Sequence, residues 1–103
     1  MYKGTTPTYI FTNNEVDLTQ TTKVYVTFSD GNENEIFTKS GDDLTVEEHS
    51  VSVWLDQSET LSFPNGRVAV QINWTYNEGN KVKRACSEKM TITANKNLID
   101  EVI

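Results

Sequence analysis

The stretch Arg67–Tyr76, RVAVQINWTY, decides the fold because large apolar side chains alternate along it with small or polar ones. A period of two residues is typical of a β-strand with one buried face. The same alternation occurs in Lys23–Ser29 and in Ser50–Leu55. We therefore predict half-buried strands at these three places, and the inward side chains are expected to be Val24, Val26, Phe28, Val51, Val53, Val68, Val70, Ile72 and Trp74.

Turn and cap motifs separate the strands. The turn motifs are DGN at Asp30, SGDD at Ser40, FPNG at Phe63 and NEGN at Asn77. Each supplies residues that tolerate positive φ or fix a bend in the chain. Asp56 is followed three positions later by Glu59, a helix-capping pattern, so we predict one helical turn that runs to about Leu61. Pro7 cannot donate a backbone hydrogen bond, which predicts that the opening stretch Gly4–Asn14 is an edge strand.

The segment Lys81–Thr93 is expected to form a further strand. Its apolar residues Val82, Cys86, Met90 and Ile92 are all at even positions and would lie on the same face of the strand. Arg84 and Glu88 interrupt this apolar face, which indicates a bulge or bend near Ser87. The tail Asn97–Ile103, NLIDEVI, is apolar enough to dock on the rest of the protein, either as an edge strand or as a helical turn.

These elements predict an all-β protein with a single domain over residues 1–103. The expected architecture is an antiparallel immunoglobulin-like β-sandwich of about six to seven strands with one short helical turn. A small β-barrel is the alternative arrangement of the same strands.

The charges restrict the class of partner. The net charge of −6 argues against nucleic acid, because binding to a phosphate backbone uses a basic surface. Asp30–Glu59 contains nine acidic residues and one lysine, Lys39, whereas Lys81–Lys96 contains five basic residues and one acidic residue, Glu88. This division fits either two solvated faces or copies of the chain that meet head to tail.

Two features concern location. No segment approaches the ~20 apolar residues that cross a bilayer, and Met1–Gly4 has no apolar run behind Lys3, so we expect neither membrane insertion nor export by a standard signal. The single cysteine, Cys86, cannot form an internal disulfide, and we expect it to be a small buried hydrophobic residue.

The residue types that catalysis requires are scarce. A nucleophile needs a base beside it, and the chain offers one histidine, His49, in an expected turn, and one thiol, Cys86, on an expected strand. The sequence contains no G-x-S-x-G motif and no glycine-rich phosphate loop. We therefore predict no catalytic residues, no cofactor and no metal site, and a protein that is not an enzyme.

One loop imitates a calcium site for part of its length. DGNENE places Asp30, Asn32 and Asn34 at alternate positions, like the first ligands of an EF-hand. The sixth and twelfth positions should then be glycine and glutamate, but they are Glu35 and Gly41. We expect an acidic hairpin turn here rather than a calcium site.

Two aromatic residues have the opposite parity to the predicted core. Tyr25 alternates with Val24 and Val26, and Trp54 alternates with Val53 and Leu55, so both rings should point outward. Large outward aromatic residues are enriched at binding surfaces, which makes Tyr25 and Trp54 the candidate interface residues. Alternatively, the tail Leu98–Ile103 or the loop after Ser40 covers them.

Longer stretches of the chain resemble a known group of proteins. They are YKGTTPTYIFT, VDLTQTTKVYVTFSD, HSVSVWLDQSETLSF, NGRVAVQINWTYNEGN and IDEV, in this order. They are similar to small β-proteins encoded among the tail and baseplate genes of phages and prophages of Gram-positive bacteria, and more distantly to the immunoglobulin-like N-terminal domains of upper baseplate proteins. The shared features are a GTTP opening, DLT before a strand and G-x-V-x-V-Q before a final hairpin, and the chain has QSET at Gln57–Thr60 where the pattern has a T-x-E-T turn. The chain departs from the pattern at Gln20 and Thr21, where a glycine often follows DLT.

The resemblance implies a non-enzymatic structural or accessory component of a tail or baseplate. Such a protein is made in the cytoplasm of the bacterial host without a leader and is then assembled into the virion. Its partners would be other tail or baseplate proteins or further copies of itself, with no nucleic acid and no membrane involved. The alternative function is a β-sandwich carbohydrate-binding or adhesion module, with an aromatic platform supplied by Trp54 and Tyr25.

Overall fold

The computed structural model describes all of residues 1–103 and contains eight strands, one short α-helix and two 3-10 turns. The strands are β1 (Thr8–Thr12), β2 (Lys23–Ser29), β3 (Glu35–Ser40), β4 (Leu44–Val46), β5 (Ser50–Trp54), β6 (Gly66–Glu78), β7 (Lys81–Cys86) and β8 (Met90–Ala94). The helix α1 covers Gln57–Leu61, and the 3-10 turns cover Leu18–Gln20 and Gly41–Asp43. The sequence did not predict the two 3-10 turns.

The strands form two antiparallel sheets. One sheet has the order β1-β5-β4, and the other has the order β3-β2-β6 with β7 and β8 along the far side of β6. With β1 taken as strand B, the sheets are B-E-D and C′-C-F-G, which is the order of a variable-type immunoglobulin domain without strands A and C″. The prediction of an antiparallel immunoglobulin-like sandwich is confirmed, and the opening strand β1 is an edge strand as expected.

The sandwich has eight strands instead of the expected six to seven. Leu44–Val46 is a strand of only three residues that follows an acidic turn, and its short pattern gave no period-two signal. The segment predicted as one strand from Lys81 is two strands, β7 and β8, which pair with different halves of β6. The additional strands are therefore the short edge strand β4 and the strand that results from the division of the Lys81 segment into β7 and β8.

The core lies between the sheets. All nine residues that were predicted to point inward are buried, together with Leu18, Leu55, Phe63 and Ala94. Phe63 follows α1 and stacks on Phe28 and Phe37, with ring centroids 5.7 and 5.6 Å away. The helix therefore positions an aromatic side chain that contributes to the core from outside the strands.

A bulge between Ser87 and Met90 separates β7 from β8. The N–H of Ser87 donates to the carbonyl of Ile72, and Met90 pairs with Val70. The chain therefore advances three residues from Ser87 to Met90 while β6 advances two residues from Ile72 to Val70. The extra residue reverses the parity of the strand that precedes it. The expected bulge is confirmed, but the expected burial of Cys86 is wrong: Cys86 lies opposite Asn73 and is exposed.

The helix α1 begins with the predicted capping box. The Asp56 carboxylate accepts the N–H of Glu59 at 2.8 Å, and the Glu59 carboxylate accepts the N–H of Asp56 at 2.9 Å. The buried Thr60 hydroxyl accepts the N–H of Gly4 and donates to the carbonyl of Thr5. The helix thus fixes the segment that leads into β1.

The tail is neither an edge strand nor a helical turn. Its end is held by Gln57, whose side-chain amide exchanges two hydrogen bonds with the backbone of Ile103. The apolar tail residues Leu98, Ile99, Val102 and Ile103 remain exposed.

Among the helices, none combines the length and apolar composition that crossing a bilayer requires.

Candidate interaction surface

Trp54 lies on the outer face of the three-stranded sheet. It pairs with Thr8 on β1, while its neighbours Val53 and Leu55 point into the core. The side chain is 54% exposed, as the strand parity predicted. An indole that is half open to water on a rigid strand can lose a large apolar area on binding without a rearrangement of the backbone.

Ile10 is the second large apolar residue on this outer face, and the sequence pattern did not single it out. Ile10 pairs with Ser52, which is two residues before Trp54 on the same strand, so Ile10 and Trp54 are diagonal neighbours. Diagonal neighbours lie roughly 7 to 8 Å apart, within reach of an aromatic side chain. Ile10 is 65% exposed. Its flanking residues, Tyr9 and Phe11, point inward and are half-buried. The only sequence signal was that Ile10 shares its strand parity with the polar Thr8 and Thr12, and the run of three apolar residues obscures it.

The rest of this outer face carries only small hydroxyl side chains. We use the name Trp54 face for the set Thr8, Ile10, Thr12, Thr45, Ser50, Ser52 and Trp54. Short serine and threonine side chains lose little rotamer entropy when another surface covers them. The Trp54 face is therefore a flat surface with two apolar side chains that no other part of the chain covers.

A cleft with acidic walls adjoins the Trp54 face. Its volume is about 530 Å³, and its lining includes Trp54, Asp42, Asp43, Asp56 and Lys39. Lys39 is paired with Glu59, at 2.6 Å between Nζ and Oε2. Since the one cation in the lining is already neutralised, the cleft presents a net negative charge beside the exposed indole.

Tyr25 lies on a different surface. It is half-buried on the outer face of the five-stranded sheet and lines a cleft of about 540 Å³ with Leu18, Leu44 and Val46. The outer faces of two packed sheets point away from each other. Tyr25 and Trp54 therefore cannot form one aromatic platform, which corrects the arrangement expected for a sugar-binding module.

The expected cover over Trp54 is also incomplete. The 3-10 turn Gly41–Asp43 lies beside the indole and supplies two of the acidic cleft residues, but it leaves half of the side chain exposed. The end of the tail is hydrogen-bonded to Gln57 on α1. Neither segment buries Trp54.

The β6–β7 hairpin is the second prominent exposed feature. We use this name for residues 76–84, which continue beyond the last pair between β2 and β6, Lys23 with Thr75. Gly79, with φ of 63°, occupies the first position of the two-residue turn, as a type II′ turn requires. The returning strand carries Lys81, Lys83 and Arg84, and Val82 is 74% exposed.

Both ring nitrogens of His49 have partners other than Cys86. The His49 Nδ1 donates to the carbonyls of Val16 and Asn13, at 2.9 and 3.2 Å, so it carries a proton. The bond to Val16 is the main reason that the pKa of His49 is raised, and the carboxylate of Glu48, 3.5 Å from Nε2, acts in the same direction. His49 therefore joins the β4–β5 turn to the loop after β1.

The loop that imitates a calcium site is a hairpin turn. The Asp30 carboxylate accepts the backbone N–H groups of Asn32 and Asn34, at 2.8 and 3.0 Å. The bond from Asn34 contributes most to lowering the pKa of Asp30. The carboxylate oxygens that would bind a cation are thus used to close the turn between β2 and β3.

A scan against protein-family models and searches of curated proteins and of solved structures found no match to this chain.

Proposed function

We propose that this protein is a non-enzymatic structural or accessory component of a phage or prophage tail or baseplate, and that it acts by binding protein through the Trp54 face. The motifs that resemble tail and baseplate proteins of Gram-positive phages support the virion context. The observation that carries the binding role is the exposure of Trp54 and Ile10 side by side on one sheet face.

The energetics of this surface favour binding. Covering the exposed parts of one indole and one isoleucine side chain would contribute a few kcal/mol of hydrophobic free energy, at about 25 cal/mol per Å² of buried apolar area. The strand β5 that holds Trp54 is paired on both sides, so the side chain is preorganised. Tryptophan is also enriched among the few residues that dominate the binding energy of interfaces.

A carbohydrate-binding or adhesion module is the second candidate. The specific observation in its favour is that Trp54 is bordered by Asp42 and Asp43, whose carboxylates could accept hydrogen bonds from sugar hydroxyl groups. Tyr25 contributes nothing to this site because it lies on the other outer face. A sugar would then stack on a single ring.

Coexpression with the products of the flanking genes tests the first proposal. We expect one virion protein to copurify in a fixed ratio, and we expect Trp54→Ala to remove it. Leu98→Ala is the matched control, since Leu98 is also exposed and apolar but lies in the tail, outside the Trp54 face. Binding that survives Trp54→Ala, or flanking genes that encode no virion parts, would overturn the proposal. Calorimetric titration with cell-wall polysaccharide fragments tests the second candidate, which requires binding that Trp54→Ala abolishes.

A further inference from the structure

We infer that the occupant of the Trp54 face is the β6–β7 hairpin of a second copy of this chain, so that copies assemble head to tail. This inference rests on the proposed assembly role and names the partner. Its basis is that the Trp54 face and the β6–β7 hairpin are both exposed and carry complementary charges.

The receiving side of the contact is negative. Asp42, Asp43 and Asp56 line the cleft beside Trp54, and the charge of Lys39 is balanced by Glu59. Nothing else in the lining of this cleft is cationic. A positively charged side chain that enters the cleft would meet carboxylates and could lie over the indole ring, where a cation–π contact adds to the attraction.

The inserting side is positive, although the whole chain is acidic. Lys81 and Lys83 are exposed and have no ion-pair partner in the structure, while Lys39 and Lys89 are paired with Glu59 and Glu33. Glu78, opposite Lys81, is the only acidic residue of the hairpin. The hairpin therefore keeps a net positive charge that the rest of its own chain does not neutralise.

The shape of the hairpin allows insertion. The end of the hairpin is not paired with β2, and the outer side of β7 is the edge of its sheet. Lys81 and Lys83 project from one side of β7, and the exposed Val82 projects from the other. An approach by the open edge would bring cations toward the acidic cleft and an aliphatic group toward Ile10 and the indole.

The symmetry of the contact follows from its two surfaces. The Trp54 face belongs to the three-stranded sheet and the hairpin to the five-stranded sheet, so the contact is heterologous. A heterologous contact leaves each pair of copies with one free face and one free hairpin, and it propagates into a ring or a filament. Assembly should therefore pass beyond the dimer as the protein concentration rises.

The inference is tested with variants in which the charges of one surface are reversed. Their assembly is measured by sedimentation velocity at about 1 mM protein, once in about 20 mM NaCl and once in about 500 mM NaCl. The wild type should form species larger than a dimer at low salt and dissociate at high salt. Lys81→Glu with Lys83→Glu should weaken association about tenfold or more, and so should Asp42→Lys with Asp43→Lys. Asp56 is left unchanged because it caps α1. The control is Lys3→Glu with Lys96→Glu, which changes the net charge equally, away from both surfaces, and should not abolish assembly.

A mixture of the two charge-reversed proteins is the decisive sample. In each variant the hairpin and the Trp54 face have the same sign of charge, so each should be monomeric alone. In the mixture, the acidic hairpin of the Lys81→Glu, Lys83→Glu variant fits the basic face of the Asp42→Lys, Asp43→Lys variant. The basic hairpin of the second variant likewise fits the acidic face of the first. The mixture should therefore regain assemblies larger than a dimer, which a misfolded variant could not do. A monomeric wild type at low salt, assembly that survives reversal of the hairpin charges, or a mixture that stays monomeric would overturn the inference. If a virion protein is still bound in a manner that requires Trp54, the proposed function stands while the inference of a second copy fails.

Discussion

The ammonium group of Lys39 lies 2.6 Å from the carboxylate of Glu59, and this contact joins the two layers of the sandwich. Lys39 is on β3, at the edge of the five-stranded sheet, and Glu59 is on α1, which directly follows the three-stranded sheet. The other oxygen of Glu59 accepts the N–H of Asp56. One carboxylate therefore completes a helix cap and also holds an edge strand. The two side chains are only 13% and 21% exposed, so water screens the pair incompletely.

Glu59→Gln should destabilise the protein by about 1 to 2 kcal/mol, because glutamine can still close the capping box but leaves the Lys39 ammonium without its counter-charge. Urea denaturation measures the change. The matched control is the double variant Lys39→Met with Glu59→Gln, in which no charge is left unpaired and which should recover part of the loss. A Glu59→Gln protein as stable as the wild type would show that the ion pair contributes nothing.

Ile72→Ala should cost about 2 to 5 kcal/mol, because it removes a buried side chain from the centre of β6 and leaves a cavity. Ile10→Ala is the matched control, since the same atoms are removed from an exposed position and the cost should stay below about 1 kcal/mol. Chemical denaturation of both variants compares them directly. Equal costs for the two positions would contradict the assignment of β6 to the core and β1 to an exposed edge.

Trp54 and Trp74 should differ in their access to a quencher, because Trp54 is 54% and Trp74 is 6% exposed. Acrylamide quenching of Trp74→Phe and Trp54→Phe, each with one remaining indole, makes the comparison. The measurement needs about 500 mM NaCl so that an assembly does not shield Trp54. Trp54 should be quenched much more strongly. Similar quenching of both residues in the monomer would show that some segment covers the Trp54 face.

His49 should make stability depend on pH. Its pKa is raised in the folded protein, mainly by the hydrogen bond to the Val16 carbonyl, with smaller contributions from the Asn13 carbonyl, Glu48 and Asp17. A raised folded pKa stabilises the fold fully below the ordinary histidine pKa of about 6.5, and this stabilisation is lost as the pH rises through the raised value.

Comparison of His49→Asn with the wild type isolates the titration, because asparagine offers an N–H donor in the place of Nδ1 but does not titrate. The difference in melting temperature between the two should be larger near pH 5.5 than near pH 8.5, where it should be small. Asp30 and Glu33 have lowered pKa values and titrate only at more acidic pH, so they do not disturb this range. A difference that stays constant with pH would contradict the contribution of His49.

The sequence could predict those parts of the fold that depend only on a local pattern, such as strand alternation or a helix cap. Strict alternation in β6 predicted its buried residues, and the spacing of Asp56 and Glu59 predicted α1 with its cap. The bulge near Ser87 was also foreseen, but its effect on parity was not. A single inserted residue turns every side chain before it to the other face, so Cys86 had to be located in the structure.

The candidate surface was only half predictable for a similar reason. Trp54 stood out against valines in its own strand, whereas Ile10 lies between two aromatic residues that are equally apolar. Which of the two parities of β1 faces the core depends on its register with β5, a strand far along the chain. The acidic cleft likewise combines residues from β3, the following turn and the start of α1, which are brought together only by the packing of the sheets.

The pairing of β1 with β5 also bears on the order in which the protein is built. Thr8 pairs with Trp54 and Thr12 with Ser50, so β1 leaves the ribosome about 40 residues before its only partner strand. In the same sheet, β4 and β5 are joined only by residues 47–49 and can pair as soon as β5 has been made. β1 should therefore be the last strand of its sheet to dock during synthesis. In hydrogen exchange its amides should open with a lower free energy than those of β6, so local unfolding would begin by releasing β1, the strand that carries Ile10 of the Trp54 face.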